Sequence, residues 1–162
     1  MIMEAIWRSV AKKRKLTSAL KIICYLATTL TVADFLFILF GLLGASAIVT
    51  LKYLAVLGLP FALVSFLRRF VAAPRPYEVC KFTKKAPKES KGDSFPSRHA
   101  FSIFAIGTLT MFIFPIFGAI LLVFGVLMSV ARVLLGYHFP RDVVAGALIG
   151  IASSLIGTLF LK

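Results

Sequence analysis

The chain has 162 residues, 60% of them hydrophobic and 15% charged, with a formal charge of +13. Together with a mean hydropathy of +0.97, this excludes an ordinary soluble domain, in which apolar residues make up about 45–50% and charged ones about a quarter. It reads as a membrane protein, and with no nucleic-acid-binding module visible the basic excess points to a lipid surface and not to nucleic acid.

Residues 1–20 place Ile2, Ile6, Trp7 and Val10 at helical spacing, with Arg8, Lys12, Lys13, Arg14 and Lys15 following. That pattern predicts an amphipathic helix lying in the membrane interface; a disordered basic tail is the competing reading of so short an apolar face. Apolar blocks follow at 22–43, 45–67, 99–114, 116–136 and 142–161, each close to the roughly 20 residues that cross a ~30 Å hydrocarbon core. The expected fold is all-α, a bundle of about five spanning helices. It forms one domain over 1–162 in a multi-pass protein of the cell membrane. Ala45-Ser46-Ala47 resembles a signal-peptide cleavage site. The apolar block before it is too long for a signal h-region, so it is read as a span.

The first two spans form a hairpin around 41–46, and counting outward from the turn puts Asp34 and Lys52 at similar depths. They are expected to pair, unless Lys52 snorkels to the interface; no catalytic role falls to Asp34. Residues 68–98 then break the pattern with Pro74, Pro76, Pro87, Gly92 and Pro96 and carry Lys81, Lys84, Lys85, Lys88 and Lys91. This is the one long hydrophilic loop, its lysines read as a solvated juxtamembrane segment. Cys24 in the first block and Cys80 in the loop offer neither a disulfide framework nor a CxxC pattern and are expected to be free thiols.

The third span starts near Ser97 and turns at Pro115, and the fourth ends near Gly136; Phe139-Pro140 opens the last, proline being favoured in a first helical turn. Arg68, Arg75, Arg98, His99, Arg132, His138 and Asp142 therefore all fall at span ends on one side of the membrane. Planar guanidiniums suit phosphate oxygens, the more so when partly desolvated. Ser97 begins a span, where unpaired N–H groups and the helix dipole favour an anion. His138 and Asp142 are four apart across a helix start, so the carboxylate can hold one ring nitrogen and leave the other to attack.

Three fragments carry these residues: RRFVAAPRP at 68–76, PSRH at 96–99 and ARVLLGYHFPRD at 131–142. Their order and spacing resemble the type 2 phosphatidic acid phosphatase family of integral-membrane lipid phosphatases, whose signature is Lys, six residues, Arg-Pro; Pro-Ser-Gly-His; and Ser-Arg, five residues, His, three residues, Asp. Here Arg68 replaces the lysine, Arg98 the glycine and Ala131 the serine, with every spacing kept. The resemblance implies that His138 is the nucleophile forming a phosphohistidine, that Asp142 orients it, and that His99 is the general acid and then base. Arg68, Arg75, Ser97 and Arg132, with Arg98 beside them, are implied to hold the phosphoryl oxygens.

The expected activity is removal of phosphate from a lipid phosphate or a polyprenyl phosphate or diphosphate, with membrane lipids as surroundings. A catalytically silent binder of anionic lipid is the alternative. No cofactor is expected, and no metal, because the arginines would repel a divalent cation and the remaining acids do not complete a site. Sidedness is left open: the lysines at 81–91 favour a cytoplasmic site by the positive-inside rule, whereas the family resemblance more often implies an extracytoplasmic one.

Overall fold

A computed structural model describes residues 2–80 and 93–161. The lysines expected in the hydrophilic loop, Lys81 to Lys91, lie outside the described residues. Helix α1 (Ile2–Lys12) has Glu4 in its first turn and Lys12 in its last, matching the helix dipole. Trp7 and Val10 on its apolar stripe are buried, whereas Ile2 at its start is exposed, so only the later part of the stripe packs on the protein. The chain breaks at Lys13 and restarts as α2 (Arg14–Gly41). Its 28 residues span about 42 Å at 1.5 Å per residue, more than a ~30 Å hydrocarbon core, which lets its basic first turn stand outside.

Gly44, at φ 93°, supplies the left-handed turn that reverses the chain. Ser46 then caps α3 (Ala47–Val71) by accepting from the Val49 N–H at 3.4 Å. After α3 the chain turns out through Ala72, left-handed at φ 43°, a conformation that costs an L-residue about 1–2 kcal/mol. The short α4 (Pro76–Cys80) follows, its Glu78 carboxylate accepting from the Arg75 N–H at 2.8 Å, the reciprocal half of a capping box. Then come α5 (Arg98–Ile113), α6 (Pro115–Leu134) and α7 (Pro140–Leu161). The described residues are all helix and connection, with no strand.

The sequence predicts about five spans, and the structure separates the helices into two kinds. Helices α2, α3, α6 and α7 are long and apolar enough to cross a membrane. Helix α5 has 16 residues, about 24 Å, and is the bundle's axis: Ala100, Phe101 and every residue from Ile103 to Thr110 are buried. Its apolarity serves protein packing and not lipid contact, so it presents almost no lipid-facing stripe.

Helix α5 packs most extensively on α7 and α6. Along α7, Gly146, Gly150 and Ser154 recur every fourth position, and all are buried, a small-xxx-small stripe that lets helix backbones approach. The approach is close enough that a Cβ on Gly146 would stand 2.4 Å from the Ser97 carbonyl oxygen, and one on Gly150 2.5 Å from that of Phe101. Ser154 Oγ donates to the Ala105 carbonyl at 2.7 Å.

The expected Asp34–Lys52 pair is replaced by another contact. Thr110 Oγ1 donates to Asp34 Oδ2 at 2.5 Å, because α5 packs against α2 and brings its own hydroxyl there. Lys52 is exposed and lines a separate cavity beside α7.

Gly146→Ala and Gly150→Ala should each lower stability by about 1–3 kcal/mol, the usual cost of overpacking. Gly58→Ala, whose Cβ meets nothing within 4 Å, should be stabilising by about 0.5–1 kcal/mol through helix propensity. Thermal unfolding of the three variants in one detergent checks the contrast, and equal midpoints would contradict the close α5–α7 contact.

Candidate active site

The ends of α3, α5, α6 and α7 meet at one side of the bundle. Arg68, in the last turn of α3, is 3% exposed. Its Nη1 donates to the Pro96 carbonyl at 2.7 Å and its Nη2 to the Asp93 carbonyl. Arg75, also buried, donates from Nη2 to the same Asp93 carbonyl at 3.3 Å, and its guanidinium lies 6.0 Å from the Tyr77 ring centre. The Ser94 N–H donates to the Ala73 carbonyl at 3.0 Å. The two arginines thus lace residues 93–97 onto the end of α3 while concentrating positive charge: Arg68 lies within electrostatic range of Arg98, Arg75 and Arg132.

Ser97 caps α5. Its hydroxyl accepts from the Ala100 N–H at 3.5 Å, and its own N–H donates to the Asp142 carbonyl at 2.9 Å. Arg98 and His99 occupy the next two positions, where backbone N–H groups lack helical acceptors. Arg98 is exposed and His99 half-buried. Both line a cavity of about 260 Å³ with Thr28, Thr31, Phe61 and Met128. It adjoins an apolar cavity of about 390 Å³ between α2, α3 and α5, which also includes Thr31, Val32, Phe61 and Ser102.

Arg132 ends α6, His138 lies in the connection that follows, and Asp142 opens α7; all three are buried, Asp142 completely. His138 Nδ1 lies 3.7 Å from Asp142 Oδ2, an electrostatic contact longer than a hydrogen bond. Ser94 fills the gap: its hydroxyl donates to Asp142 Oδ2 at 2.5 Å and lies 3.4 Å from His138 Nδ1. The Phe139 N–H adds a second bond to Oδ2 at 2.9 Å. The other ring nitrogen, Nε2, is 3.4 Å from Arg132 Nη2. A guanidinium can only donate, so Nε2 carries the lone pair and Nδ1 the proton.

Burial is the main cause that pushes His138 down from the ordinary imidazole range to about 4; the Arg132 and Arg75 charges push the same way, while Asp142 opposes them. At neutral pH the ring is therefore uncharged and its Nε2 is nucleophilic.

The structure thus brings Arg68, Arg75, Ser97, Arg132, His138 and Asp142 into one buried cluster, with Arg98 and His99 at its cavity-side margin. Sequence reasoning missed Ser94, which is fully buried. Its position in the breaker-rich loop, three residues before Ser97, was the available signal. The Asp93 carbonyl was missed as well, since a main-chain acceptor leaves no mark in residue type. Among the described residues no group of three His, Cys, Asp or Glu side chains gathers as metal ligands.

Because folding depresses His138, the unfolded chain binds the extra proton between about pH 4 and the ordinary imidazole value. Stability must therefore fall as pH is lowered through that window. His138→Asn should flatten this part of the profile, as read from unfolding midpoints between pH 7 and 4; parallel profiles for the two proteins would contradict a buried neutral imidazole.

Residues 49–162 match the PAP2 superfamily model. The bacitracin transport permease protein BcrC of Bacillus licheniformis is 33% identical over 81 residues, 50% of this chain and 40% of that protein. The chain thus spans less than half of that relative's length. A crystal structure of the first transmembrane PAP2 type phosphatidylglycerolphosphate phosphatase, from Bacillus subtilis, superposes with TM-score 0.72 at 23% identity, over 98% of this chain and 84% of that one. The crystal structure of Aquifex aeolicus LpxE gives TM-score 0.71 at 26% identity, over 96% and 93%. With its helical membrane fold and arginine-ringed His–Asp cluster, and with the family model matching most of its length, this chain belongs to the PAP2 superfamily.

Proposed function

We propose that this protein is a membrane phosphohydrolase that removes phosphate from a lipid phosphate or a polyprenyl phosphate or diphosphate through a phosphohistidine, without a metal. The observation that carries the reading is His138: a buried imidazole with Nδ1 turned to Asp142 and Ser94 and Nε2 turned to Arg132. Nε2 attacks phosphorus, forming the N–P bond as the bond to the leaving oxygen breaks, and Asp142 stabilises the positive charge that the ring acquires. Arg132, Arg75 and Arg68, with the amides of 98 and 99, hold the phosphoryl oxygens as charge spreads over them. Arg98, exposed at the margin, is placed to engage a second phosphate. His99 protonates the leaving oxygen and then takes a proton from the water that attacks phosphorus, releasing phosphate and restoring His138.

A lipid substrate also needs room for its tail, and the apolar cavity between α2, α3 and α5, next to Arg98 and His99, supplies it. The head stays at the helix ends while the tail lies among Phe35, Leu57 and Phe61. The Bacillus subtilis neighbour, described as a phosphatidylglycerolphosphate phosphatase, supports a lipid phosphate as the substrate class.

Phosphate release from a panel of lipid phosphates by detergent-solubilised protein in excess EDTA is the direct test. His138→Ala should abolish release in a folded protein, and turnover near the wild-type level would remove it as nucleophile. Ser94→Ala removes the hydroxyl that bridges Asp142 and His138, and because an ångström of misplacement costs on the order of 100-fold, kcat should fall roughly 10- to 100-fold. Gly58 lines the apolar cavity, so Gly58→Trp should raise KM for long-chain substrates and spare short-chain ones; equal effects on both would place the tail elsewhere.

A further inference from the structure

Helix α1 is far in sequence from every residue in the catalytic proposal, yet it touches the connection that carries His138. Trp7, 2% exposed, donates its indole N–H to the Val133 carbonyl at 2.8 Å, 126 positions away. Its ring meets Phe139 edge to face, with centroids 5.9 Å apart and planes at 70°. Val133, in the last turn of α6, directly follows Arg132, and Phe139 directly follows His138, so one side chain touches both flanks of the segment that carries His138.

Within the connection, residues 135–139, the backbone is held at both flanks, the Phe139 N–H reaching Asp142 Oδ2 on the α7 side. Leu135 N–H reaches the Ala131 carbonyl, Gly136 N–H the Val133 carbonyl and Tyr137 N–H the Arg132 carbonyl, with Gly136 in the left-handed region at φ 70°. Val10, one helical turn after Trp7, joins the core cluster of Ala131, Leu135 and Val143 beneath the same connection. On the outer face of α1, Arg8 is exposed and pairs with Glu4 of its own helix at 2.6 Å, and Lys12 is exposed too.

We infer that Trp7 is a positioning residue of the active site: α1 clamps the connection between α6 and α7 from outside, and the indole fixes the separation of Arg132 from His138. The mechanical reason is that Gly136, left-handed at φ 70°, is the position of greatest backbone freedom in the connection, so contacts on either side of it restrict the path from Arg132 to His138. An external bond to the Val133 carbonyl in the last turn of α6, together with an aromatic contact at Phe139, supplies those restraints. A near-attack geometry lost by an ångström costs on the order of 100-fold in rate, so the clamp acts on kcat. This inference rests on the reading of His138 as nucleophile for its kinetic part only.

The test compares full-length Trp7→Ala, Trp7→Phe and Arg8→Ala in one detergent. Trp7→Ala should remain helical, lower kcat by roughly 10- to 100-fold and move KM far less. Trp7→Phe keeps the ring but not the donor and should recover part of the loss, while Arg8→Ala, on the outer face, should match wild type. The chain has 2 histidines, so His138 can be assigned by NMR from the His99→Ala variant, and its ring resonances should shift in Trp7→Ala but not in Arg8→Ala. Unchanged kcat and unchanged His138 resonances in folded Trp7→Ala would overturn the clamp; so would an equal rise in KM with kcat constant. Should Trp7→Ala fail to fold, Trp7→Phe decides by the same two readouts. If the wild-type protein hydrolyses no lipid phosphate, the proposed function fails, and the His138 resonances still decide whether Trp7 positions that ring.

Discussion

The close contact of two helix backbones governs this molecule. Helix α7 presents Gly146 and Gly150 where a side chain would strike the carbonyls of Ser97 and Phe101, and Ser154 adds a hydrogen bond farther along the same stripe. In a lipid surrounding, helices gain little from burying apolar surface, and contact distance decides how strongly they hold. The proximity also sets the start of α5 against the start of α7. The Ser97 N–H then reaches the Asp142 carbonyl at 2.9 Å, placing two positive helix ends side by side where a phosphate would gain from both.

Around that junction the protein gathers charge that repels itself. Arg68, Arg75 and Arg132 are buried within mutual electrostatic range, and such an arrangement persists only if the surrounding structure supports it. Arg68 and Arg75 are held by main-chain carbonyls of residues 93 and 96, which offer partial negative charge, and the Asp93 carboxylate acts electrostatically on Arg68 as well. The same positive surroundings, added to burial, keep His138 uncharged. One environment therefore suits an anion and leaves a lone pair on the buried ring. Ser94 reconciles the remaining conflict, bridging a carboxylate and an imidazole that stand 3.7 Å apart.

Each side of the junction is also fixed from outside. Ala72 accepts a left-handed conformation so that α3 can end between Arg68 and Arg75, and α1 lies against the connection that holds His138. The helical spacing of Ile6, Trp7 and Val10 fits both membrane contact and protein contact, since amphipathicity states only that one face avoids water. The hydrogen bond from Trp7 to Val133 gives Trp7 to the protein, while Ile2 on the same stripe stays exposed.

Much of this could be read from the chain. Apolar length predicts membrane spans because crossing hydrocarbon requires it, and the fragments at 68–76, 96–99 and 131–142 name the clustered residues because their chemistry depends on residue type and spacing along a helix end. Features set by contacts between distant segments could not be read. The depth match of Asp34 with Lys52 was sound arithmetic on one hairpin, but α5 supplies Thr110 as the partner. Helix α5 has a span's composition and a core helix's surroundings, and hydropathy cannot tell lipid from protein. Ser94, the Asp93 carbonyl and the Val133 carbonyl acquire their roles only when helices separated by tens of residues close on one another, because hydrogen bonds are directional over about 3 Å and residue order along the chain carries no such distance.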